Sequence, residues 1–175
     1  MGTLTLRPLQ PGDEETAVIW AASREFCDAI GWTPDLAPRK VRDHWRWLIS
    51  GPDPAFLRLG IVWGDQLIGY TDLAGLTPET AEYGIALGDP AQWGQGLGTW
   101  AGQLMLQHAF EGLQLDTLSA EALASNLRSQ GMLRRLGFVP SGLGTPELHN
   151  SQPVPVLRYR LTRAGWLARN PPAPG

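Results

Sequence analysis

The chain has 175 residues, 43% of them hydrophobic and 18% charged, the balance of one soluble globular domain long enough to bury a full core. Lys plus Arg number 14 against 17 Asp plus Glu, a net charge of -3, so no global basic field draws the protein to nucleic acid as a direct partner. A lone cysteine, Cys27, excludes an internal disulfide. With no basic, apolar leader and no run of membrane-spanning length, the cytoplasm is the expected location and no membrane partner is expected.

Thr3 to Arg7 alternates polar and apolar residues up to Pro8 and predicts a first strand. A helical pattern follows from Pro11-Gly12-Asp13 to about Ser23, with Glu14 and Glu15 in the first turn, where the helix dipole favours them. Cys27 lies in an amphipathic helical pattern and reads as a packing residue. Residues 31–38 break the periodicity with two prolines, and Val41, Trp45 and Leu48 then recur at helical spacing until Gly51-Pro52. Phe56 to Trp63 and Gln66 to Leu73 read as strands joined by the hairpin dipeptide Gly64-Asp65. Thr80 to Leu87 is a third strand of that group, with alternation sending Tyr83 to the face opposite Glu82. Leu97, Ala101, Leu104, Met105 and His108 form one helical stripe, in which His108 reads as a packed histidine. A strand over 116–122, a helix over 126–136 closed by Gly137, a strand beginning at Phe138 and an alternating strand over 154–161 complete the pattern. Pro171, Pro172 and Pro174 predict an extended, disordered tail over 167–175. Of the eight tryptophans, seven lie at or before Trp100, which suggests that some line a pocket and the others fill the core.

The segment from Gly88 to Thr99 carries the chemistry. It joins an apolar strand to a helix through a glycine-spaced turn, in which missing Cβ atoms and positive φ let successive N–H groups converge on an anion beside a helix N-terminus. A ligand with a diphosphate fits such a turn. The dinucleotide fingerprint fails, because Thr99 stands where the third glycine of Gly94-x-Gly96-x-x-Gly is needed. The nucleoside-triphosphate loop fails too, because the chain's only lysine is Lys40.

Pro90-Ala91-Gln92-Trp93-Gly94-Gln95-Gly96 resembles the acetyl-coenzyme A loop of the GCN5-related N-acetyltransferase (GNAT) superfamily, in the form found in the branch of ribosomal-protein alanine and serine N-acetyltransferases. Trp93 departs from the wider superfamily, which has Gln or Arg there. Leu4 to Leu9, Ala81-Glu82-Tyr83-Gly84-Ile85, Asn126-Leu127-Arg128-Ser129 and Leu136-Gly137-Phe138 also resemble family segments, and the likeness spans residues 3 to about 166. It implies a mixed α/β fold whose central, mostly antiparallel sheet has about seven strands with helices on both faces. The acetyltransferase domain would then occupy residues 1–166.

The resemblance implies a site as well. Main-chain groups of Ile85 and Leu87 would hold the pantetheine amides, the loop residues Trp93, Gly94, Gln95, Gly96, Gly98 and Thr99 the diphosphate, and Asn126 the pantetheine arm. Arg134 or Arg135 either reaches the adenosine phosphate or lies on a solvated helix face. Glu82 occupies the strand position where several family members carry a general base; the alternative is an exposed or ion-paired strand carboxylate. Leu133 stands where many members have an acidic tyrosine, which leaves Ser129 as a substitute proton donor or as a serine bonded back to its own helix.

The implied cosubstrate is acetyl-CoA, with no metal, and the acceptor is a primary amine. The branch favours a protein N-terminal amine; polyamines, amino acids or aminoglycosides are the alternative, because residues 24–45 and 141–153 carry no diagnostic motif. A non-catalytic acyl-CoA sensor and a homodimer also belong among the expectations.

Overall fold

A computed structural model describes residues 2–149 and 151–171, so Pro172 and Pro174 of the expected tail lie outside the described residues. The elements are β1 (Leu4–Pro8), α1 (Asp13–Ala21), α2 (Arg24–Ile30), α3 (Pro38–Ile49), β2 (Phe56–Trp63), β3 (Gln66–Ala74), β4 (Thr80–Leu87), α4 (Leu97–Gln107), β5 (Thr117–Leu123), α5 (Leu127–Leu136), β6 (Val139–Leu143), β7 (Glu147–His149), β8 (Gln152–Val154), β9 (Val156–Thr162) and α6 (Arg163–Arg169). Seven strands form one sheet in the order β1-β2-β3-β4-β5-β9-β6, and β7 and β8 form a separate hairpin. Only β4 and β5 pair in parallel; the other neighbours in the sheet are antiparallel. This is the mixed, mostly antiparallel sheet of about seven strands that the family resemblance implied.

Strand alternation divides the core between the two faces. Tyr83, Leu118, Ala120, Tyr159 and Leu161 pack with Met105, Phe110 and Leu136 of the α4 and α5 side. Tyr70 and Ala86 face the other way and pack with Trp20, Phe26, Cys27 and Trp45 from α1, α2 and α3. Cys27 is fully buried there, as its place in the helical pattern suggested.

Three features depart from the sequence pattern. The first helix ends at Ala21, and Ser23, which a periodicity reading absorbs into it, instead caps α2 by accepting from the Phe26 N–H at 3.2 Å. His108 is half-buried and opens a single π turn over His108–Gly112 rather than continuing α4 as a packed core residue. The third is α6, which holds residues 167–169 of the expected disordered tail in a helix; it starts where the Thr162 hydroxyl accepts from Gly165 N at 3.0 Å and is anchored by Trp166 against Phe110 at 5.5 Å. Gly165 in its interior weakens the sequence signal for that helix.

Gly69 lies opposite Leu87 where β3 meets the end of β4. A Cβ at that position would run into the Ala86 carbonyl oxygen and come within 3.1 Å of Leu87 Cα, main-chain atoms that no rotamer change can move. Gly69→Ala is therefore expected to destabilise the fold by about 3 kcal/mol, the upper end of overpacking costs. A shift in urea midpoint worth less than about 1 kcal/mol would show that the strands separate here without strain.

Candidate active site

The parallel pair β4–β5 is in register only from Thr80↔Thr117 to Tyr83↔Ala120. Both strands run on, β4 to Leu87 and β5 to Leu123, each still paired on its far side to β3 or β9. A wedge therefore opens in the middle of the sheet, lined by main chain that has lost its neighbour and suits an amide-bearing ligand. A cavity of about 320 Å³ occupies it, with Ile85, Leu87, Trp93, Gly94, Gly96, Gly98, Thr99, Asn126, Ser129 and Leu133 among its lining residues.

At one end is the glycine loop. Gly94 and Gly96 have φ of 76° and 84°, the left-handed region where a Cβ is disfavoured. Trp93 N and Trp100 N find acceptors in the Pro90 and Gly96 carbonyls, while the N–H groups of residues 94–99 between them have no acceptor within the protein among the described residues. That row of free donors at the start of α4 has the chemistry of a diphosphate cradle. Gly98 serves packing as well, since a Cβ there would stand 3.3 Å from Met132 Sδ of α5. Trp93 ties the loop to the strand by donating its indole N–H to the Leu87 carbonyl at 2.9 Å. The Gln95 side chain turns back to Ala91 O at 2.8 Å and does not line the cavity.

Across the wedge, Asn126 caps α5 by accepting from Ser129 N at 3.0 Å and donates to Ala29 O of α2 at 3.3 Å. Its amide thus joins two walls of the cavity. Among the described residues the Ser129 hydroxyl makes no hydrogen bond back to its helix, and Ser129 borders the cavity beside Leu133. Arg134 and Arg135 are exposed on the far side of α5 and do not line the cavity.

The carboxylates lie on the face of α1, α2 and α3. Glu82 sits at the last part of the β4–β5 pairing, opposite Ser119, just before the strands part. Glu82 is exposed, as the alternative reading of that position has it, yet partial desolvation holds its carboxyl above the usual range; the Glu121 charge adds to this and Arg158 opposes it. Glu82 borders the wedge without lining the cavity, whereas Glu121, one step beyond the pairing on β5, does line it. Arg158 Nη2 holds Glu121 at 3.0 Å. Glu121 was not singled out in the sequence because a lone glutamate in an alternating strand carries no local signal. Only the splay gives it a place.

Asp72 and Arg58 were missed for the same reason. They sit directly opposite one another on β3 and β2 and make two hydrogen bonds of 2.7 Å. The guanidinium lies 3.8 Å from the Tyr70 ring centroid, with Trp45 and Phe56 rings at 5.4 and 5.5 Å. Burial pushes the Asp72 carboxyl up while Arg58 works against that shift. Asp72 lines the cavity next to Gly84, as does Glu147 of β7.

Among the described residues, no helix is long and apolar enough to cross a membrane, and no group of His, Cys, Asp and Glu could hold a metal ion. A family model for the acetyltransferase (GNAT) domain matches residues 3–139, from β1 to the first residue of β6. The fold is similar to that of spermidine N-acetyltransferase from Vibrio cholerae, solved in complex with CoA and spermine, with a TM-score of 0.83 and 22% identity over 94% of this chain and 98% of that one. It is also similar to a GNAT-family acetyltransferase from Bacillus anthracis, with a TM-score of 0.79 and 16% identity over 94% of this chain and 99% of the other. At these identities the structural likeness speaks for the fold, and the domain match speaks for the family. The chain belongs to the GNAT acetyltransferase family and is an acetyl-CoA-dependent N-acetyltransferase.

Proposed function

We propose that the protein transfers acetyl directly from acetyl-CoA to a cationic primary amine that enters from the face of α1, α2 and α3. The observation that carries this reading is the wedge itself. It joins the free amides of residues 94–99 at one end to a carboxylate-bearing face at the other, so donor and acceptor can meet without a covalent enzyme intermediate.

An alkyl ammonium has a pKa of about 10, so its proton must leave before nitrogen can attack the thioester carbon. Glu82 receives that proton, directly or through water, and its raised pKa suits the task. As the C–S bond breaks, the thiolate takes a proton from the Ser129 hydroxyl or from water. Ile85, Leu87, Trp93, Gly94, Gly96, Gly98, Thr99 and Asn126, with Gln95 through its main-chain N–H alone, are the residues we assign to hold the cosubstrate.

The acceptor we favour is a small amine with a second cationic nitrogen. Asp72, Glu121 and Glu147 line one cavity, and Glu147 has no ion-pair partner among the described residues. The likeness to a spermidine N-acetyltransferase supports the same choice. A protein N-terminal amine is the second reading, supported by the likeness of the Trp93-Gly94-Gln95-Gly96 loop to the ribosomal-protein branch.

Two measurements test these statements. Acetyl-CoA at 100 times its Kd should stabilise the fold by about 2.7 kcal/mol, while NADH should leave the melting temperature unchanged. Thiol release across spermidine, spermine, aminoglycosides, amino acids and free-N-terminus peptides should be fastest with the polyamines. Acetylation of peptides alone would favour the second reading. Binding of acetyl-CoA without turnover of any amine would make the protein a sensor.

A further inference from the structure

The diphosphate cradle carries no positive charge of its own: the segment from Gly88 to Thr99 contains neither lysine nor arginine, and its one charged residue is Asp89. Acetyl-CoA carries a diphosphate and a 3′-phosphate, and main-chain donors alone leave that charge unmatched. Among the residues that line the cavity there is one lysine or arginine, Arg128. It belongs to the first turn of α5, across the wedge from the loop. Its guanidinium carbon stands 4.6 Å from the centroid of the Trp93 ring. No ion pair among the described residues engages it.

Trp93 is well suited to hold that cation. Its indole N–H is fixed on the Leu87 carbonyl at 2.9 Å, which orients the ring, and the ring face then attracts the guanidinium. A flexible arginine is thereby kept beside the row of free loop amides, so less ordering remains to be done when an anion arrives. The planar fork of a guanidinium matches phosphate oxygens better than an ammonium does. We infer that Arg128, held by Trp93, is the cationic clamp on the diphosphate of acetyl-CoA and supplies from α5 the positive charge that the loop lacks. Trp93 acts as a positioning residue in this arrangement, through its ring.

This inference rests on the acetyl-CoA assignment, and the test separates the two. Affinities of wild type, Arg128→Met, Arg128→Lys and Trp93→Leu are measured by calorimetry for acetyl-CoA and acetyl-dephospho-CoA. For S-acetylpantetheine, which has no phosphate, the reading is kcat/KM as a donor at millimolar concentration. Arg128→Met should weaken both nucleotide donors alike by roughly 10- to 100-fold and change the S-acetylpantetheine value by less than about twofold. Arg128→Lys should recover part of the loss. Trp93→Leu should weaken binding by roughly two- to fivefold and shrink the further effect of Arg128→Met. Unliganded melting of Arg128→Met should match wild type, since Arg128 is exposed.

Three results would overturn the clamp: unchanged acetyl-CoA affinity in Arg128→Met, an equal loss with S-acetylpantetheine, or a loss confined to acetyl-CoA, which would move Arg128 to the 3′-phosphate. If wild type binds neither nucleotide donor, the acetyl-CoA assignment itself falls.

Discussion

Glu82→Gln is expected to lower kcat near neutral pH by roughly 10²–10⁴, with acetyl-CoA affinity nearly unchanged. The amide keeps the shape and most of the hydrogen bonding of the carboxylate but loses its charge and its capacity to accept a proton. The deficit should shrink at high pH, where more of the amine is already neutral. The pH profile adds a sign that can be checked. Burial and the Glu121 charge hold Glu82 above its ordinary 4.5, and a base works only when deprotonated, so the acid limb of kcat/KM should lie above the usual carboxylate range. Glu121→Gln removes the like charge and releases Arg158, and both changes should move that limb to lower pH. If instead Glu121→Gln abolishes turnover and Glu82→Gln stays within about twofold of wild type, the base is Glu121. The same shift has a stability consequence. A carboxyl raised in the folded state favours its protonated form there, so its contribution is full below the unfolded pKa and is lost as pH rises through the folded one.

Asp72→Ala is expected to cost about 3–5 kcal/mol of folding stability, the usual penalty for stripping one partner from a buried ion pair. Arg58 would be left charged among Tyr70, Trp45 and Phe56, with both of its 2.7 Å bonds to Asp72 lost. The asymmetry is the informative part. Replacing both members, as in Arg58→Met with Asp72→Leu, should recover most of the loss, because no unpaired charge then remains buried. Urea denaturation measures both. A single-variant cost below about 1 kcal/mol would mean that water reaches the guanidinium and that the pair is effectively a surface one.

Much of this architecture is written in local patterns. The hairpin at Gly64-Asp65, the stripe from Leu97 to Met105 and the turn between β4 and α4 are set by residues within a few positions of one another, and periodicity exposes them. Ser23 marks the limit of that reading. One hydroxyl decides between a continued helix and a new one, and helical spacing is blind to the choice. The site divides in the same way. The glycine loop is legible because main-chain geometry demands glycine at φ of 76° and 84°. Asp72, Arg58 and Glu121 are not, because their meaning comes from strand register and from the point where β4 and β5 separate, and both depend on residues far apart in the chain. Arg128 shows the same limit, since its contact with Trp93 joins residues on opposite sides of the wedge.

Direct transfer within one ternary complex is the centre of the account, and intact-protein mass spectrometry coupled to thiol release tests it most closely. Incubated with acetyl-CoA alone, the protein should keep its mass and release little thiol. On addition of spermidine, free CoA and monoacetylated amine should appear in equal amounts with the protein mass still unchanged. A protein that gains one acetyl group before the amine is added, and passes that group to the amine in a chase without acetyl-CoA, would contradict it.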